Sequence, residues 1–200
     1  MSIDRLSADA WNTRYLTKDT GWDKGQCAPP LARMLAEHLV PAGAHVAIVG
    51  AGRGFEALEA VRQGYRVTAI DFAPEAIRAM REGMQVTGLT FEALQADVFT
   101  LHQSHPKAFD AVVEHTCYCA IDPSTRDRYV TAIEGALKPG GVLLGLFYNH
   151  GRPGGPPFDT TEADVRARFS RFDFERFVRA PDSFPGRSGE EWEAVLRLRA

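Results

Sequence analysis

Residues 46–71 read Val46-Ala47-Ile48-Val49, Gly50-Ala51-Gly52-Arg53-Gly54, then a segment from Phe55 that ends at Gly64, then Tyr65-Arg66-Val67-Thr68-Ala69-Ile70-Asp71. The first four residues are an apolar run suited to a buried parallel strand. Three glycines follow at alternate positions. Phe55, Leu58 and Val61 then share one face of an amphipathic segment, and a second apolar strand ends in an acid. Strand, glycine turn, helix, strand and acid form a βαβ unit that binds a nucleoside. Glycine lets the backbone turn tightly and approach a ligand with no Cβ in the way. The helix that follows presents free N–H groups and a positive dipole end. Asp71 follows Gly50 by 21 residues, close to the roughly 20 expected of an acid that accepts ribose hydroxyls. A dinucleotide fingerprint needs a third glycine where Phe55 stands. A tight turn without a ligand is the plainer reading of the glycines alone.

Two hundred residues suffice for a single domain with a full core. A hydrophobic content of 44% and a charged content of 24% are those of an ordinary globular chain. The net charge of −3 and the lack of a basic stripe argue against a nucleic-acid partner. The arginines beyond residue 150 are mixed with acids, as on a solvated face. No apolar run reaches membrane length and the N-terminus is polar, so no membrane partner and a cytoplasmic location are expected. Cys27, Cys117 and Cys119 are then reduced thiols. No second Cys or His pair has metal-ligand spacing, so no metal is expected.

The glycine pattern G-x-G-x-G resembles that of the class I S-adenosylmethionine-dependent methyltransferases, and the rest of the chain can be read beside it. Trp11, Tyr15 and Trp22 are large aromatics in a polar segment broken into loops by Gly21, Asp23 and Gly25. They either anchor the segment or form a lid whose ring faces attract a sulfonium and exclude water. Pro29-Pro30 starts a helix with Leu31, Met34, Leu35, His38 and Leu39 on one face. Phe72 is placed to pack on an adenine ring. Pro74 opens a helix that Gly88 ends. Residues 89–96 read as a third strand leading to Asp97-Val98, whose carboxylate and N–H suit adenine, although Asp97 alone would also serve as a helix cap. Residues 109–114 form a fourth strand that delivers Glu114, His115, Thr116, Cys117, Tyr118 and Cys119 to its carboxyl end, where open α/β sheets bind ligands. Residues 142–148 form a fifth strand with Tyr148 at its tip, and the Gly/Pro-rich loop to Phe158 leaves from the same end. Thr161 and Asp164 signal a helix start. Residues 172–178 and 192–198 alternate as two last strands, joined by a connection too short and proline-broken for a crossover helix. They are expected to pair antiparallel.

These features resemble the thiopurine, thiol and halide methyltransferases over nearly the whole chain. The marks are Trp11, Tyr15 and Thr20-Gly21-Trp22-Asp23-Lys24-Gly25, then Gly50-Ala51-Gly52-Arg53-Gly54-Phe55-Glu56. Further marks are the strand ending at Glu114, Cys119-Ala120-Ile121, and Gly154-Gly155-Pro156-Pro157-Phe158. The resemblance implies a Rossmann-like α/β fold: a seven-stranded, mostly parallel sheet with helices on both faces and a C-terminal antiparallel pair. It implies S-adenosylmethionine as methyl donor and S-adenosylhomocysteine as product. Trp11, Tyr15 and Trp22 would close over the donor. Gly50, Ala51, Gly52 and Gly54 would meet its methionine part, Asp71 its ribose, and Asp97 and Val98 its adenine. Glu114 stands where the family has an aspartate near the methionine amino group. His115 replaces an arginine associated with aromatic thiols, which weakens a thiopurine reading. Cys119 and Phe158 belong to motifs closer to the thiol and halide branch, where a tyrosine matching Tyr148 lines a small-anion site.

The expected reaction is in-line methyl transfer to a small soft nucleophile: hydrosulfide, another thiol, or a halide. Tyr148 would orient the anion through its hydroxyl, and His115 is the candidate base for a less acidic thiol. Cys117 and Cys119 read as wall residues, since this chemistry needs no covalent enzyme intermediate. Another acceptor (aromatic thiol or thiopurine, tellurite, carboxylate or amine) is the alternative, as is a non-catalytic module that only binds S-adenosylmethionine. The expected partners are small molecules, with the chain a monomer or weak homodimer.

Overall fold

Val46 and Ile48 pack into one apolar cluster and Ala47 and Val49 into another on the opposite face, so the first strand is covered on both sides. The computed structural model describes residues 5–200. Helices α1 (Ala8–Thr17) and α2 (Pro29–Ala36) precede β1 (His45–Val49). Then come α3 (Phe55–Arg62), β2 (Arg66–Asp71), α4 (Pro74–Thr87), β3 (Glu92–Gln95), α5 (Leu101–Ser104), β4 (Phe109–His115) and α6 (Arg126–Ala136). β5 (Leu137–Tyr148), α7 (Glu162–Arg168), β6 (Phe172–Arg179) and β7 (Glu191–Leu198) complete the order. Leu31, Met34, Ala57, Ile77 and Met80 bring α2, α3 and α4 onto one face of the sheet. Leu101, Tyr129, Ile133 and Val165 bring α5, α6 and α7 onto the other.

The sheet has seven strands in the order β3-β2-β1-β4-β5-β7-β6. β1 to β5 are parallel, and β7 runs antiparallel between β5 and β6. The strand order reverses between β1 and β4, which places the crevice at the carboxyl ends of those two strands. The antiparallel C-terminal pair is as expected, with Tyr148 registered against Glu191.

Several elements differ in extent from the sequence reading. Residues 8–17 form a helix, not loops. α2 ends at Ala36, so His38 lies beyond it with φ +51°; its ring packs 5.9 Å from that of Tyr65. β3 covers only Glu92–Gln95. β5 begins at Leu137, because Lys138-Pro139-Gly140-Gly141 is taken into the strand across a register shift against β4. α5 has no counterpart in the sequence reading, since four residues are too few to show a period. No helix among the described residues is long and apolar enough to cross a membrane.

Candidate active site

A cavity of about 700 Å³ opens at the carboxyl ends of the parallel strands. Gly50, Ala51 and Gly52 form its wall after β1, Asp71 and Phe72 after β2, and Asp97 and Val98 after β3. Gly50 holds φ +58°, and a Cβ there would lie 2.7 Å from Cβ of Cys117. Only glycine lets the β1 turn nest against the β4 turn. Gly54 serves differently from what the motif suggests. It is not on the cavity wall; at φ +81° its bare Cα faces Met80 and Phe91, at 3.1 and 3.2 Å from a would-be Cβ, and lets α3 pack on α4.

Asp71 is 7% exposed and accepts the N–H groups of Gly52 and Ala73, each at 2.9 Å. Burial outweighs these bonds and raises its carboxyl to about 6. Its ionised form is the better acceptor for ribose hydroxyls. S-adenosylmethionine affinity is therefore expected to weaken as pH falls through about 6, and to be lower and flat with pH in Asp71→Asn. Calorimetric titration from pH 5 to 8 checks this; parallel profiles would remove Asp71 from the ribose contact. Asp97 caps a 3₁₀ turn through Phe99 N–H at 2.9 Å and lines the cavity.

The roof is α1 and the loop after it. Ser7 caps α1 by accepting from Ala10 N–H, and Lys18 ends it in the left-handed region. Trp11 and Tyr15, four residues apart, fall on one face. Each meets Trp22 edge to face, at 5.2 and 5.7 Å between ring centres. Asn12 accepts the Glu75 N–H at 2.9 Å, satisfying a free donor at the start of α4 that has no cap of its own. Asp23 binds Arg53 of the glycine turn at 3.2 Å. α1 has no buried residue, so it shows little amphipathic pattern; docking holds it, not a core face.

Beyond β4 the structure corrects the reading of Glu114. Its side chain is 1% exposed, off the cavity wall, and turned inward. It accepts Cys117 N–H at 3.0 Å, Tyr118 N–H at 2.8 Å and the Tyr129 hydroxyl. These bonds pin the turn in which Thr116 holds φ +63°, a conformation that a β-branched residue rarely adopts. Glu114 thus braces the turn that shapes the site from behind the cavity wall. Phe158 is also off the wall. It lies against Gly155 and donates its N–H to Cys119 O at 2.6 Å, which leaves Pro156 and Pro157 facing the cavity. Cys119 and Cys117 are on the wall. Burial first, and Glu114 next, push the Cys119 thiol up to about 12 and the Cys117 thiol well above its ordinary value, so neither is a nucleophile at neutral pH.

His115, Tyr148, Glu56 and Arg187 also line the cavity. Arg187 is 7% exposed. Its NH1 lies 3.2 Å from Nε2 of His115 and 3.0 Å from Oε1 of Glu191, and its guanidinium stands 4.8 Å over the Tyr148 ring. The Tyr148 hydroxyl is already engaged: it accepts from Arg152 at 2.8 Å. The sequence reading missed Arg187, which sits in a 3₁₀ turn (Pro185–Arg187) of the β6–β7 connection. Topology could have found it: an antiparallel last strand starts where the parallel strands end, so the residues just before β7 reach the site. Glu56, also missed, lies in the first turn of α3; a buried acid there is hidden among ordinary helix-start acids.

A family model described as thiopurine S-methyltransferase matches residues 6–195. The chain belongs to the thiopurine S-methyltransferase family. A probable thiol methyltransferase 2 of Arabidopsis thaliana is 25% identical, over 84% of this chain and 75% of its own. A thiopurine S-methyltransferase of Pseudomonas entomophila is 32% identical, over 80% and 81%. In fold, the chain resembles the 1,6-didemethyltoxoflavin-N1-methyltransferase of Burkholderia thailandensis, solved with its substrate and S-adenosylhomocysteine. The TM-score is 0.77 at 22% identity, over 98% of this chain and 88% of the other. As a member of the thiopurine S-methyltransferase family, this chain is an S-adenosylmethionine-dependent methyltransferase acting on small molecules.

Proposed function

We propose that the enzyme transfers the methyl group to a small soft nucleophile, a thiol (hydrosulfide included) or a halide, by in-line displacement. The observation that carries this reading is the buried Arg187 guanidinium on the cavity wall, beside His115 and over the Tyr148 ring. A guanidinium held there out of water favours a group that carries or develops negative charge.

The residues fit the donor. Asp71 suits a ribose, Phe72, Asp97 and Val98 an adenine, and the glycine turn leaves room for the methionine part. Trp11, Tyr15 and Trp22 present ring faces and edges to a sulfonium. Bound, S-adenosylmethionine supplies a methyl group on positively charged sulfur. The chain's part is to hold the nucleophile in line with that methyl, to exclude water and to steady the anion. Tyr148 contributes its ring beneath Arg187. Tyr148→Phe, which keeps the ring, is expected to lower turnover only a few-fold, whereas Tyr148→Leu should lower it roughly tenfold or more. S-adenosylmethionine affinity should hold in both. Equal losses in the two variants would return the role to the hydroxyl.

One observation favours a second acceptor class. Arg187 brings a guanidinium beside His115, where the family's arginine is missing from the sequence, so an aromatic thiol or thiopurine is also a candidate. The test is S-adenosylhomocysteine formation with iodide, bromide, hydrosulfide, an aromatic thiol and a thiopurine offered separately. Highest turnover with iodide or hydrosulfide supports the proposal. Preference for the aromatic thiols favours the second reading, and silence on all five with donor still bound overturns both.

A further inference from the structure

Four side chains, Glu56, His115, Arg187 and Glu191, form a continuous polar chain that begins on the cavity wall and runs behind it. Oε1 of Glu56 is 2.9 Å from Nδ1 of His115, and it also accepts Ala28 N–H at 3.2 Å. Nε2 of His115 is 3.2 Å from NH1 of Arg187, which donates on to Glu191. The partners fix the roles. Burial opposes ionisation of Glu56, but its hydrogen bond to His115 and the N–H groups of Glu56 and Ala28 favour the carboxylate, and the carboxyl is held below its ordinary value. A carboxylate only accepts, so Nδ1 of His115 carries the hydrogen; a guanidinium only donates, so Nε2 presents a lone pair. An accepting imidazole nitrogen backed by a carboxylate is the arrangement of an oriented base.

The charges around it point the same way. Glu56 on α3 and Glu191 on β7, against Arg187 in the β6–β7 connection, leave the group at −1 with His115 neutral. Glu114 on β4 stands nearby with its carboxyl raised by burial. Tyr148 on β5 has its phenol raised by burial, with Glu190 and Arg152 beyond it. Cys117 and Cys119 keep their protons. An acceptor that arrives with its own proton, and leaves it on His115, keeps the group at −1.

Resting on the methyl-transfer reading above, we infer that His115, oriented by Glu56, is the base that takes the proton of an uncharged thiol acceptor. The S–H proton passes to Nε2 as the Arg187 N–H turns from that nitrogen to the emerging thiolate. The freed electron pair forms the new S–CH₃ bond. The bond from methyl to sulfonium sulfur breaks with its pair retained on that sulfur, and the imidazolium later returns its proton to water. Glu56 is a positioning residue: its carboxylate holds the orientation and tautomer of the His115 ring.

Two acceptors separate this step from the rest of the site: 2-mercaptoethanol, which brings a proton, and iodide, which does not. In His115→Gln the thiol-to-iodide ratio of kcat/KM at pH 7 is expected to fall at least thirtyfold, and in Glu56→Gln at least fivefold. Raising the pH toward the thiol's own ionisation should restore much of the His115→Gln loss. As a readout independent of turnover, the ¹⁵N spectrum of labelled histidine should show His115 in the Nδ1–H form in the native protein and in mixed tautomers in Glu56→Gln. An unchanged thiol-to-iodide ratio would overturn the proposal and leave His115 as a support for Arg187. Native enzyme inactive on both acceptors, with donor bound, would overturn the acceptor reading itself and this proposal with it.

Discussion

An Arg187→Met variant is expected to lose roughly 100-fold or more in kcat/KM with any anionic or thiol acceptor, the scale found when a preorganised charge-stabilising group is removed. S-adenosylmethionine affinity should stay within about threefold, because the residues proposed for the donor lie on other elements, at the turns after β1, β2 and β3. Stability will also change. Arg187 is the partner of Glu191, which is 1% exposed and whose Oε2 lacks a hydrogen-bond partner among the described residues. Breaking a buried pair from one side typically costs about 3–5 kcal/mol. The informative comparison is therefore the double variant Arg187→Met/Glu191→Leu, which removes both charges. It should recover much of the thermal stability and none of the turnover. Recovery of both would make Arg187 a structural cation only.

Glu114→Ala should be the most destabilising single change near the site. It leaves Cys117 N–H, Tyr118 N–H and the Tyr129 hydroxyl without their acceptor in a buried place. With each stranded donor costing about 1–3 kcal/mol, the thermal midpoint should fall by roughly 10 °C or more. Glu114→Gln keeps one oxygen acceptor and should lose about half as much. The two also differ with pH. Burial raises the Glu114 carboxyl above its ordinary 4.5, so the folded state binds that proton more tightly than the unfolded chain does. The group's contribution is then greatest below 4.5 and declines as pH rises through the folded value. That decline should be absent from Glu114→Gln, as denaturant titrations at several pH values would show. A glutamine variant with native stability and weakened donor binding would restore Glu114 to the cofactor.

The βαβ unit that walls one side of the cavity was legible because its signals are local: an apolar run, alternate glycines and an acid at fixed spacing all fall between Val46 and Asp71. Tyr148 and His115 were legible because strand tips are readable once strands are. The misses share a different cause. Glu114 lies on the same strand as His115, and a strand alternates its faces; sequence names the residue, but only packing against Tyr129 shows that its face turns inward. Phe158 and Gly54 belong to motifs whose spacing is set as much by packing as by ligands. Helix α1 carries Trp11 and Tyr15 but buries no residue of its own, so no apolar stripe marked it. Arg187 and Glu56 come to the site from a connection and a helix start about 130 residues apart, a long-range pairing that no local pattern encodes.

The antiparallel β7 has a consequence for how such an enzyme can diversify. The turns after β1, β2 and β3 carry the side proposed for the donor, and the chain from β4 onward, with Glu56 of α3, supplies the side proposed for the acceptor, with Arg187 arriving on the β6–β7 connection at the sheet's other edge. The two halves share a crevice but few residues. Acceptor preference can therefore drift by edits to one surface turn near the C-terminus while the nucleoside half stays intact. Within a lineage of this architecture, donor use should be inherited and acceptor choice should be local.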